Sequence, residues 1–66
     1  MKNGVIKHRK AMKMTQEDLA KSVGVTRQTI ISIEQGKYIA SLPLALKIAR
    51  VFNTTVEDIF YLEEDE

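Results

Sequence analysis

The chain has 66 residues and no Cys, so it makes one domain with a small core that gains from a partner, and it excludes disulfides and thiolate metal sites, which suits a reducing cytoplasm. No apolar run approaches the ~18–20 residues of a membrane span, and the N-terminal lysines lead into no apolar secretory segment. The net charge of +1 hides a segregation: residues 1–56 hold all ten bases and three acids, a net +7, whereas residues 57–66 hold six acids and no base.

A first helix is expected over about residues 3–12, with Val5, Ile6 and Met12 facing inward. Thr15 opens a second. Its hydroxyl can cap the first N–H groups, and Asp18 three residues on makes a capping box with Asp in place of Glu. Leu19, Ala20 and Val23 form the inner face of this helix. Gly24 stops it, because glycine enters the left-handed conformation cheaply. Thr26 caps a third helix and Gly36 ends it; Ile30 and Ile33, spaced i, i+3, face the core. Ser41 caps a fourth, with Pro43 tolerated in its first turn. Leu42, Leu44, Ala45, Ile48, Ala49, Val51 and Phe52 supply more apolar surface than one face needs, which places this helix centrally. Asn53 is a left-handed stop, and Thr55 caps a short fifth helix carrying Val56, Ile59 and Phe60. Few strand-type alternations occur. The fold class is therefore all-α, a compact five-helix bundle in a single domain over residues 1–66.

The third helix also presents an outward stripe of Arg27, Gln28, Ile31, Ser32 and Gln35. Arg27 and Gln28 stand at its start, where a helix usually prefers acids. Their types are those that read base edges: Arg grips guanine O6/N7 with two bonds, Gln grips adenine N6/N7, and Ser serves either. Ile31 is either a stray surface residue or a cover for a thymine methyl. A basic body suits a polyanion such as nucleic acid, although the same charges can be ordinary solvated surface. Acid/base pairs, metal constellations and phosphate loops are missing from the sequence, so an enzyme is not expected, nor a cofactor or metal. The lone His8 reads as a satisfied, half-buried residue. Met1, Met12 and Met14 read as a start residue and gap-fillers.

The stretch "MTQEDLAKSVGVTRQTIISIEQGKY" followed by "SLPLALKIARVF" resembles the helix-turn-helix of the phage repressor/Cro (XRE) family, over about residues 3–62. Small Ala20, Gly24 in the turn, and Leu19, Val23, Val25, Ile30 and Ile33 at the buried positions coincide with its pattern. The resemblance implies a lambda-repressor-like fold with the helix-turn-helix at residues 15–36. It also implies double-stranded DNA as partner, with Arg27, Gln28 and Ser32 as base readers, to which the stripe itself adds Ile31. Thr15, Gln16, Thr26, Gln35, Lys37 and Tyr38 are expected on phosphates, and Arg9 with Glu34 as an ion pair. His8 and Ala40 depart from the family's usual Leu or aromatic, and Pro. A homodimer is expected through Thr54, Thr55, Val56, Tyr61 and Leu62, although Tyr61 and Leu62 equally suit the core edge. The expected protein is a cytoplasmic transcriptional regulator, a stand-alone domain that represses by occupying a near-palindromic operator. Nothing points to a membrane or a small-molecule effector. The alternative is an antitoxin or partner-binding module on the same fold. The acidic tail, residues 63–66, is a solvated end or a device that keeps that end off DNA.

Overall fold

The computed structural model describes residues 2–63. Met1 and most of the acidic tail, residues 64–66, lie outside the described residues. The elements in order are β1 (Lys2–Asn3), α1 (Val5–Ala11), α2 (Gln16–Val23), α3 (Arg27–Glu34), α4 (Leu42–Val51), α5 (Val56–Ile59) and β2 (Phe60–Tyr61).

Local chemistry sets the helix starts. The Thr15 hydroxyl accepts from the Asp18 N–H, and the Asp18 carboxylate accepts from the Thr15 N–H, closing a full capping box. Thr26, Ser41 and Thr55 cap α3, α4 and α5 in the same extended conformation. The stops are left-handed residues. Gly24 ends α2 at φ 76°, and a Cβ there meets nothing within 4 Å, so backbone conformation alone selects glycine. Asn53 takes φ 55° after α4.

The core is built from Val5, Leu19, Ala20, Val23, Ile30, Ile33, Leu44, Ile48, Ala49, Phe52 and Ile59. α2 packs against both α3 and α4, and α4 also packs against α5. The sequence places most of these residues correctly, and the exceptions have physical reasons. Ile6 and Met12 are exposed, not inward. Val5 takes the inward line of the seven-residue α1, Ile6 lies one residue (~100°) around from it, and Met12 falls in the turn that reverses the chain at Lys13, φ 57°. Leu42, also expected inside, is 67% exposed. Its neighbours Leu44, Ala45, Ile48 and Ala49 already fill the inward face of α4.

All-α is approximate. β1 and β2 form an antiparallel ribbon with Lys2 opposite Tyr61 and Asn3 opposite Phe60. Asn3 therefore lies in a strand and α1 begins at Val5, while Phe60 leaves the fifth helix for β2. The ribbon is tied to the helices: the Asn3 Nδ2 donates to the Ile33 carbonyl at 2.8 Å, at the end of α3. His8 is half-buried, with Nδ1 donating to the Gly4 carbonyl at 2.9 Å and its ring stacked on Phe52 at 5.5 Å.

Candidate nucleic-acid interface

α3 is held rigidly from three sides. Its N-terminus is capped by Thr26, and its inner face buries Ile30 and Ile33 completely. Its C-terminus is closed by Gly36 at φ 75°, after which the Lys37 and Tyr38 N–H groups turn back to the Ser32 carbonyl at 3.0 and 3.3 Å. The loop carrying Lys37 and Tyr38 is thereby tied to the last turn of the helix. A rigid scaffold of this kind is what base reading needs, because side chains can discriminate only if the helix does not shift.

Arg9 and Glu34 meet at the back of the helix. Arg9 Nε donates to Glu34 Oε2 at 2.8 Å and Nη2 reaches Oε1 at 3.4 Å, with the two side chains 12% and 3% exposed. Gln16 Nε2 adds a third donor to Glu34 Oε1 at 2.9 Å, and Arg9 Nη1 donates to the Met14 carbonyl at 2.9 Å. The buried carboxylate is fully satisfied, and α1, α2 and α3 are pinned at one point.

The outward residues fall into three groups. Gln28, Ser32, Thr26 and Tyr38 line one hollow of about 190 Å³ together with Thr29. Arg27 is exposed and leans back to α2, its Nε 3.5 Å from Gln16 Oε1. Gln35 lies apart, on a cleft shared with Lys2, Asn3, Gly36 and Tyr61. Ile31 is half-buried, yet it is not among the side chains that pack on the core.

Thr15 and Thr26 accept the cap N–H groups of Asp18 and Thr29 on their hydroxyl oxygens, and the Thr26 hydroxyl also pairs with that of Thr29 at 3.0 Å. Gln16 is committed at both ends of its amide, to Glu34 and Arg27. The carboxyl of Asp18 is held below the usual aspartate range by the Thr15 backbone N–H and then by its hydroxyl. Asp58 is lowered likewise by the hydroxyls of Thr54 and Thr55.

A helix-turn-helix family model matches residues 5–59. The chain belongs to the XRE-type helix-turn-helix family. It is a transcriptional regulator with a DNA-binding fold, and the family is one of DNA-binding regulators, not an enzyme class. An HTH-type transcriptional regulator of Methanocaldococcus jannaschii is 58% identical over 66 residues, the full length of both chains. The HTH-type transcriptional regulator YgzD of Bacillus subtilis is 51% identical over 65 residues, 98% of each chain. Among solved structures, the restriction-modification controller protein C.AhdI of Aeromonas hydrophila superposes with a TM-score of 0.78 at 28% identity, over 85% of each chain. The clp gene regulator ClgR of Corynebacterium glutamicum gives the same TM-score at 20% identity, over 83% of this chain and 58% of its own, and shares the fold.

Sequence reasoning missed Asn3, which it placed at a helix start, and Lys2, which borders the end of α3. The Asn3–Ile33 bond joins residues thirty positions apart, and no local pattern announces it. The residues expected at a dimer interface do share a side of the molecule. Thr54, Thr55 and Val56 border one groove, and Val56, Tyr61 and Leu62 border the next.

Proposed function

We propose that this regulator is a repressor that binds a near-palindromic operator as a homodimer and acts by occluding a promoter in the cytoplasm. The observation that supports this best is the outward stripe of α3. Arg27, Gln28 and Ser32 stand on a helix fixed at both ends and backed by the Arg9–Glu34 pair. In this reading α3 enters the major groove; Arg27 takes guanine, Gln28 adenine, Ile31 a thymine methyl, and Ser32 either edge. Thr15, Gln16, Thr26, Gln35, Lys37 and Tyr38 meet phosphates on both sides of the groove. For Gln16 the remaining donors are its backbone N–H and the second amide hydrogen. Among the described residues no helix is long and apolar enough to cross a membrane.

Geometry supports the homodimer. A single half-site offers few base contacts, and two-fold operators place half-sites about 34 Å apart. The molecule measures 32 × 22 × 20 Å, so two abutting copies are large enough to span half-sites at that spacing. Selection of bound duplexes from a random pool tests the reading. The expected result is an inverted repeat with half-sites about one helical turn apart. A pool that enriches no sequence overturns it.

A further inference from the structure

α4 carries more apolar surface than the core takes up. Leu42 and Leu46, one turn apart, are 67% and 52% exposed, and Ile39 beside them is exposed as well. An open groove of about 900 Å³ runs between this outer face and the start of α5. Arg50 and Glu57 both line it, and both are exposed. Neither has an ion-pair partner among the described residues. The carboxylate of Asp58, next to Glu57, instead accepts from the Thr54 hydroxyl at 2.6 Å.

We infer that a second copy of this chain covers the groove, in a register that sets Arg50 of each copy against Glu57 of the other. The inference rests on the dimeric reading above, whose expected interface includes Thr54, Thr55 and Val56 of this groove, and adds to it the charged residues that choose the partner. Leu42 and Leu46 explain why something covers the groove; the charges say what does. A two-fold interface must be self-complementary, so a patch that carries a cation must also carry the matching anion. This groove carries one of each beside its leucines, and a partner of unrelated sequence imposes no such balance. Registers that set Arg50 on Arg50, or Glu57 on Glu57, are repelled. The pair therefore acts as a selector. It admits a second copy of this chain and rejects chains of the same fold whose groove lacks the opposite charges. No residue lining the groove belongs to the outward stripe of α3, so both copies remain free to read DNA.

The test is charge exchange on the full chain, read by sedimentation equilibrium, with circular dichroism to verify folding. Arg50→Glu and Glu57→Arg should each weaken self-association by about tenfold or more, because each places two like pairs in the dimer. The double exchange should return to within about threefold of the wild type. Mixing the two single variants should give a mixed dimer tighter than either variant alone, since opposite charges then face each other on both sides. A dimeric wild type whose association ignores both exchanges overturns the pairing and leaves the dimeric reading standing. A wild type that stays monomeric, free and on operator DNA, overturns both, whether or not a different protein binds the groove.

Discussion

The Glu34 carboxylate accepts from Arg9 twice and from Gln16 once while its side chain is only 3% exposed. A charge so placed is tolerated because its partners replace water, and removing one partner exposes the cost of burial. Arg9→Ala should destabilise the fold by about 3 kcal/mol, toward the low end for a broken buried pair because Gln16 still donates. Urea unfolding at neutral pH measures this; a midpoint equal to that of the wild type would show that the pair contributes nothing. The same network bears on base reading, because Gln16 links the buried pair to Arg27. Arg27→Ala should lose preference for G at one position per half-site, by about 1–3 kcal/mol. Ile31→Ala should relax preference for T at a different position by about 1 kcal/mol of apolar contact. Both variants selecting the wild-type consensus would show that α3 does not read bases through this face. The pairing of Arg9 with Glu34 came from the family resemblance, since the two lie 25 residues apart. The third donor, Gln16, had no signal in the sequence, where its position suggested only a phosphate contact.

Among the elements, the starts of α2, α3, α4 and α5 were legible because capping is local. One Ser or Thr, a few residues from the N–H groups that it accepts, decides each of them. The strands were not legible, because two residues cannot display an alternation. α1 was misread for a related reason: with two turns, Val5 and Ile6 fit the inward face equally well until the rest of the core is in place. The caps also carry a pH signature. The Thr15 N–H holds Asp18 below its ordinary range, and the Thr54 hydroxyl does the same for Asp58. Each folded-state value lies below the unfolded one, near about 3.9. The unfolded chain then binds more protons, so the stability these groups lend is full above about pH 4 and is lost as pH falls through the lowered values. Asp18→Ala should therefore be less stable than the wild type at pH 7, and the gap should narrow as the pH drops below about 4. Both carboxylates are exposed, so the effect is small. Unfolding curves at pH 7 and in acid give the gap, and one that stays constant would assign it to something other than the charge.

At the scale of the whole molecule, apolar content misled in one instructive way. Leu42 is expected inside because a periodic pattern does not show which apolar residues the core of the chain takes up and which stay at its surface. The surplus on α4 was visible; its destination was not. Charge was more direct, since the net +7 of residues 1–56 is a property of composition that folding does not alter. It leads to a prediction that counts copies. Of the six side chains proposed on phosphates, Lys37 is the only cation; Thr15, Gln16, Thr26, Gln35 and Tyr38 are neutral donors. Counterion release follows the phosphates that Lys and Arg neutralise, so neutral donors add affinity without steepening the dependence on salt. Lys37→Ala should weaken binding to every sequence alike and reduce the slope of log K against log[salt] by about 1 for each copy bound. A dimer on its operator should then lose about 2, and a lone copy about 1. Gln35→Ala should weaken binding with the slope unchanged. Titrations of an operator duplex between about 50 and 200 mM salt resolve these differences. An unaltered slope in Lys37→Ala would remove this lysine from the phosphate contacts, and a loss of only about 1 would mean that a single copy binds.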